Sequence, residues 1–479
     1  MTRETFFKAL WAILLVGLLM AAGWMTARAP SEPHAAQHAA KPPTAPMHKG
    51  EIAAAHSGLK SAEELVVDKA SIAAARKAAD DEVAAAGERR DRLGFHIPID
   101  DAPDFWTRQD SSDGRVVWHT SVRAPGAVFL RARVAIDEGA SGELSIAGPV
   151  DDNGRRISRR VTSDTTLWSP LVEGDEALLT WIGTANADRP PVRVLDLAYG
   201  ERDPLPEAKV GSCHLDINCY SEWAAVKSAI AMMVFEDGVN TYTCTGSLLS
   251  DADGSDKNWF ITANHCISSQ SVAETLLTLW DYETDACNGD PPPGPGAVPQ
   301  ANGATFITGS RFEDGDGTLL RLVEAPPPGT AKLKFSLDDL SPGDTVYGIH
   351  HPGGSYKRFF IGQAVDGSIA GVEDGNYWIV TYDEGNTEQG SSGSPLFNDD
   401  KRVVGTLTGG ESTCETRAGA DIFGRFDKAW QEGYRDYLAE GENSGGDDDG
   451  DSGLSSLGSG EELTPSESKD EEDDAGCGC

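Results

Sequence analysis

Gly390-Ser-Ser-Gly-Ser-Pro395 is the stretch on which the reading of this chain turns. A serine nucleophile needs a tight turn that exposes its Oγ and aims backbone N–H groups at a developing oxyanion, and glycines permit that turn. The frame G-x-S-G-[GS]-P selects Ser392 among three neighbouring serines, with the N–H groups of Gly390 and Ser392 forming the oxyanion hole. Gly/Ser-rich hexapeptides are common loops, so this one gains weight only from its company.

Two upstream segments supply that company. In Trp259-Phe-Ile-Thr-Ala-Asn-His265-Cys266 a histidine directly follows a buried-looking strand. The cysteine beside it can tie a neighbouring strand, and Cys244-Thr-Gly-Ser-Leu-Leu249 stands upstream. His265 is therefore the candidate general base. Asp314-Gly-Asp-Gly-Thr-Leu-Leu-Arg-Leu322 places an acid just before an apolar strand, where it can hold the imidazole in the right tautomer and stabilise the imidazolium. Spacing alone leaves Asp316 and Asp314 as rivals, and alone either would read as an ordinary Asp-Gly turn. The chain order His, Asp, Ser is that of the chymotrypsin type, and neither the subtilisin nor the α/β-hydrolase order.

These motifs resemble those of chymotrypsin-fold serine peptidases, and most closely the bacterial lysyl endopeptidases. The likeness runs through Gly211-Ser-Cys-His-Leu-Asp-Ile-Asn-Cys219, Thr262-Ala-Asn-His-Cys266, Asp316-Gly-Thr-Leu-Leu320, Ile349-His-His-Pro352, Thr387 to Pro395 and Arg402-Val-Val-Gly-Thr-Leu407. The resemblance implies two six-stranded β-barrels with the triad His265, Asp316 and Ser392 between them, and it prefers Asp316 to Asp314. It also implies disulfides Cys213–Cys414, Cys219–Cys287 and Cys244–Cys266, and it leaves His350 and His351 as framework residues. Its pocket-floor aspartate falls on Asp421 in Asp421-Ile-Phe-Gly-Arg425, with Thr408, Gly409 and Gly410 lining the pocket. A buried carboxylate there favours Lys or Arg in a substrate. Two departures bear on strict lysine selectivity. Thr408 stands where that family carries a histidine, and no tryptophan matches its pocket-side one near residues 369–372. The aspartate that receives a new N-terminus in trypsin is replaced by Ser391.

The flanking sequence sets the compartment. Met1 to Lys8 carries two basic residues and leads into an uncharged apolar run from Ala9 to Met25, which reads as an export signal, with an uncleaved anchor as the alternative. Eight cysteines behind such a signal imply a secreted or periplasmic, oxidising setting. The formal charge of −37 argues against nucleic acid and anionic membrane surfaces and permits cationic substrates. Neither a cofactor nor a metal is expected: the Asp-rich loops at Asp251–Asp256 and Asp447–Asp451 lack the terminal glutamate of an EF-hand.

The expected organisation is a signal peptide at 1–25, a linker at 26–57, a helical segment at 58–92, a β-rich, sandwich-like pro-domain at 93–209, a peptidase domain at 210–438 and an acidic tail at 439–479. The helix is expected from a capping box at Ser61-Ala-Glu-Glu64. The β signals in 95–202 come from short runs such as Val128 to Val134 between Gly, Pro, Asp and Asn clusters. Asp104-Phe-Trp106 and Leu167-Trp168 there read as core aromatics, with a sugar-binding platform as the alternative. The tail from Glu440 holds 14 acidic residues against one lysine and cannot bury a core. Cleavage at Lys209–Val210 by the enzyme itself would remove the leading segment. The all-β fold class thus carries a monomeric, secreted endopeptidase acting on proteins or peptides with basic side chains. The competing reading is an inactive homologue that binds through its β-rich N-terminal domain.

Overall fold

The computed structural model describes residues 64–439 apart from 87–89, 100–104, 112–113, 149–157, 162–165, 185–188, 203–210, 212, 253, 256, 368, 370–371, 373–374 and 415–418. The expected export signal, linker, acidic tail and Lys209–Val210 bond lie outside the described residues.

The N-terminal part is built from β1 (Glu64–Val66), α1 (Lys69–Ala86), β2 (Asp91–Pro98), β3 (Thr107–Asp110), β4 (Arg115–Arg123), β5 (Phe129–Ile136), β6 (Gly142–Ala147), β7 (Ser158–Val161), β8 (Leu167–Trp168), β9 (Val172–Glu173), β10 (Glu176–Thr184) and β11 (Val192–Gly200). One sheet runs β1-β4-β10-β6-β7 with β3 also on β4, and the other runs β2-β11-β5 with β8 and β9 on β5. Between them Leu130, Ala132, Val134, Ile146, Leu179 and Trp181 share a core. The helix begins later than the capping box suggests. Leu65 and Val66 pair with Val122 and Arg123 as a parallel strand. The cap is Asp68, whose Oδ1 accepts the N–H groups of Ala70 and Ser71 at 2.8 and 2.9 Å. Trp106 and Trp168 are buried, so they are core residues and not an exposed sugar platform.

The C-terminal part opens with β12 (Leu215–Asp216) and then forms β13 (Ile230–Asp237), β14 (Asn240–Leu249), β15 (Trp259–Ala263), β16 (Leu277–Leu279), β17 (Gln300–Asn302), β18 (Ala304–Gly309) and β19 (Gly317–Leu322). These pair as β17-β16-β13-β14-β15-β19-β18. Only Gly303 separates β17 from β18, so one bent strand closes the ring as a six-stranded barrel. The second barrel comprises β20 (Thr345–His350), β21 (Arg358–Val365), β22 (Tyr377–Glu384), β23 (Pro395–Phe397), β24 (Val403–Gly410) and β25 (Ala420–Arg425). Its ring β21-β20-β23-β24-β25-β22 is closed by the β21–β22 pairing. The double barrel is thus present, behind an N-terminal sandwich. Short helical turns from Phe426 to Leu438 cap the first barrel, with Phe426, Tyr434 and Leu438 in its core.

Sandwich and first barrel share a sheet. The first half of β14 pairs with β2, matching Phe95 with Asn240 and Gly94 with Thr241. Strand β13 alternates accordingly: Met233 and Phe235 enter the barrel core, while Met232 and Val234 join Leu93, Phe129 and Leu171 of the sandwich side. Its near-continuous apolar run follows from having both faces covered. At the edge of that seam Arg131 from β5 donates to Glu236 Oε1 at 2.6 Å, and both side chains are buried.

Candidate active site

Strand β15 lies between β14 and β19, pairing Ala263 with Gly317, so the residue two past the end of one and the residue just before the other must meet. They are His265 and Asp316. The Asp316 carbonyl accepts the Asn264 N–H at 2.8 Å, and its Oδ1 accepts the His265 N–H at 2.8 Å. Its Oδ2 lies 2.6 Å from His265 Nδ1, the geometry of an Nδ1–H donating to a carboxylate. Asp316 is 1% exposed and holds a left-handed φ of 52°, a conformation that Asp tolerates. Asp314, its rival by spacing, is exposed.

The serine turn is fastened to the same strands. Thr245 N–H donates to the Ser392 carbonyl at 2.8 Å, and Cys266 Sγ lies 3.9 Å from that oxygen. A Cβ on Gly393 would stand 2.2 Å from Thr262 Oγ1 and 2.3 Å from the Thr245 carbonyl, so only glycine lets the turn sit this close to the end of β15. Gly390 and Gly393 hold φ of 83° and 84°. The carbonyls of the turn are tied inward. Gly353 N–H donates to Gln389 O at 2.6 Å and Ser394 N–H to Ser391 O at 3.0 Å, while the Thr245 hydroxyl donates to Gly390 O at 2.9 Å. In a trans peptide the N–H opposes the C=O, so the N–H groups of Gly390 and Ser392 face the other way. Among the described residues neither has an acceptor.

All three expected disulfides are formed: Cys213–Cys414, Cys219–Cys287 and Cys244–Cys266. Two clusters with ligand-like proximity, Cys213/His214/Cys414 and Cys244/His265/Cys266, therefore offer no thiolate to a metal. The Asp251 carboxylate is engaged by its own turn, accepting from Ser255 N–H at 2.8 Å and Trp259 Nε1–H at 3.1 Å.

Asp421 sits on β25 opposite Gly410 of β24 and is fully buried. Its Oδ2 accepts the hydroxyls of Tyr382 at 2.6 Å, Ser412 at 2.5 Å and Thr387. Its Oδ1 accepts the Ser412 N–H at 3.1 Å. A side chain on Gly410 would place Cβ 2.2 Å from Oδ1, so only glycine fits opposite the carboxylate. Thr408 occupies a bulge where pairing skips from Leu407 to Gly409, and Gly409 takes φ 153°. The Thr408 hydroxyl is buried with no partner among the described residues. Ile369 and Val372 bridge each other in the segment where the resemblance would place a pocket-side tryptophan. Sequence reading missed Thr245, Tyr382, Thr387 and Ser412, since the first three lie far along the chain from the group they hold and Ser412 reaches Asp421 only through the pairing of β24 with β25.

Beneath the serine turn lies a histidine cluster. Burial, reinforced by the Arg358 guanidinium, pulls His350 well below the usual imidazole range. Burial, with the neighbouring Lys357, pulls His351 down to about 3, against a bond to the Ser355 carbonyl that opposes it. Both rings are neutral at working pH.

The family model described as lysyl endopeptidase, C-terminal domain, matches residues 208–424. A lysyl endopeptidase of Pseudomonas aeruginosa is 30% identical over 340 residues, covering 64% of this chain and 71% of the relative. Among solved structures, the inactive form of the Rv3671c protease covers 46% of this chain and 94% of its own at 16% identity and TM-score 0.30. The HtrA-type protease AlgW with a tripeptide covers 44% and 60% at 14% identity and TM-score 0.31.

Proposed function

The chain belongs to the lysyl endopeptidase family of serine endopeptidases, and from that premise we propose that it hydrolyses peptide bonds after basic residues, Lys before Arg, with His265, Asp316 and Ser392 as its triad. The observation that carries the reading is the His265–Asp316 pair beside a serine turn in which only glycine fits at 393 against the end of β15.

In this mechanism Ser392 Oγ attacks the scissile carbonyl carbon while His265 Nε2 takes its proton. Asp316 holds Nδ1–H and stabilises the imidazolium. The oxyanion is received by the N–H groups of Gly390 and Ser392. The C–N bond then breaks, His265 delivers the proton to the leaving amine, and water activated by the same imidazole hydrolyses the acyl-enzyme to free Ser392.

Asp421 supplies the specificity. With three hydroxyls donating to Oδ2 and the Ser412 N–H to Oδ1, both carboxylate oxygens are already engaged, which disfavours a bidentate guanidinium fork. A compact ammonium instead meets the outward lone pairs of those hydroxyls in a negative field, which favours Lys. Lysyl and arginyl chromogenic peptides test this: kcat/KM for Lys should exceed that for Arg by about 100-fold, and Ser392→Ala should abolish both. Equal turnover of the two, or activity surviving in Ser392→Ala, would overturn the assignment.

The export signal and disulfides fit an exported protein, with 24–209 as a pro-region, its β-rich domain at 93–209, cut after Lys209. N-terminal sequencing of wild type and Ser392→Ala checks that step. Val210 should be the new N-terminus of the wild type only, and an active wild type with the bond intact would exclude self-processing.

A further inference from the structure

Ser391 stands one residue before Ser392, is fully buried, and faces the barrel and not the substrate. Its Oγ accepts the Glu388 N–H at 3.1 Å and lies 2.7 Å from His350 Nδ1. The Ser391 hydroxyl and His350 Nδ1 thus share one hydrogen bond, its direction set by the imidazole tautomer. The Ser391 N–H returns to the Glu388 carbonyl at 3.0 Å, so the serine closes the 388–391 turn from both ends. His350 ends β20, held opposite Arg358 on β21. Its ring is edge-on to Phe360 at 5.8 Å and tilted on His214 at 5.6 Å. His214 in turn donates to the Asn386 carbonyl at 3.1 Å through Nδ1.

A framework role would not require an imidazole here. His350 Nε2 is buried with no partner among the described residues, a costly arrangement that a phenylalanine ring would avoid while keeping the aromatic contacts. What only the imidazole provides is the bond to Ser391. We propose that His350 is a positioning residue for catalysis: by holding the Ser391 hydroxyl it fixes the peptide planes that aim the Gly390 and Ser392 N–H groups at the oxyanion. The oxyanion turn is thereby set from within the second barrel and not by a newly cut N-terminus. A precursor whose turn is already set can cut itself, which self-processing requires. The inference rests on the reading of Ser392 as nucleophile.

The test compares full-length wild type, His350→Phe, His350→Asn, Ser391→Ala and Ser392→Ala on a lysyl peptide anilide. Inhibition by n-butylamine and by a peptide aldehyde ending in lysine is measured alongside. His350→Phe should lower kcat by about 10–100-fold, less than outright loss of an oxyanion donor. Its KM and butylamine affinity should stay within about threefold, and its aldehyde affinity should fall in parallel with kcat. His350→Asn, which keeps an acceptor near Nδ1, should recover most of the loss. Ser391→Ala breaks the same bond from the other side and should reproduce the kcat defect, which decides the matter if His350→Phe does not fold. A kcat within about twofold of wild type in His350→Phe or Ser391→Ala, or a loss shared equally by butylamine binding, overturns the proposal. An inactive wild type, or an active Ser392→Ala, marks failure of the triad reading itself, and both then fall.

Discussion

At the scale of residues, His351 gives the protein a built-in acid sensitivity. Its ring stays neutral in the fold with its pKa pulled from 6.5 to about 3, beside Lys357 and stacked on Tyr282. The unfolded chain protonates it below about 6.5, so there the unfolded state binds more protons and stability falls as pH falls. The contribution is fully present above that pH. Lowering the pH from 6.5 to 5 should remove about 2 kcal/mol through His351 alone, with His350 acting in the same direction. Urea melts of Ser392→Ala, which avoid autolysis, should show this slope, and His351→Phe should flatten it. At the pocket, Asp421→Asn should cut kcat/KM for lysyl substrates by about 100-fold while sparing a norleucine analogue, measured with paired peptide anilides. The proposed pocket floor, Asp421, was picked out by its Asp-Ile-Phe-Gly-Arg frame. The hydroxyls around it were not, because Tyr382 and Thr387 reach it from the end of β22 and beyond, and Ser412 from the loop after β24.

At the scale of elements, the meeting of β15, β19 and the serine turn defines the site. Gly393→Ala would drive a Cβ into Thr262 Oγ1 and the Thr245 carbonyl at a left-handed φ. It should lose activity by about 100-fold or more, since a displacement of about 1 Å costs that much, with the anilide assay as readout and circular dichroism confirming the fold. The proposed triad, His265, Asp316 and Ser392, rests on the motif frame that surrounds each of them in the sequence. The strand runs Trp259–Thr262 and Val403–Leu407 were legible as apolar, β-branched residues bounded by turn formers. The start of α1 was misread because Leu65 and Val66 prefer a tertiary partner, β4, that local sequence does not reveal. Closure of the first barrel through Gly303 is likewise invisible locally, since it depends on β16 and β19 gripping two halves of one strand.

At the scale of the whole molecule, the sandwich and the first barrel fold as neighbours in one sheet. Sequence reading treated them as successive domains, although the two-sided apolar run of β13 carried the signal. Arg131→Met would leave Glu236 buried without its guanidinium partner, keeping only His96 at 2.8 Å and Thr241 at 2.6 Å. It should destabilise Ser392→Ala protein by about 3–5 kcal/mol, and adding Glu236→Gln should restore much of it, as read by urea denaturation. The central claim joins an activated Ser392 to a pocket for a basic side chain, and one measurement addresses both halves. The protein is treated with a peptidyl diphenyl phosphonate ending in a lysine analogue, and the adduct is mapped by mass spectrometry. The account predicts a single adduct on Ser392, formed far faster than with the norleucine counterpart and lost in His265→Ala; an adduct elsewhere, or equal rates for the two reagents, would contradict it.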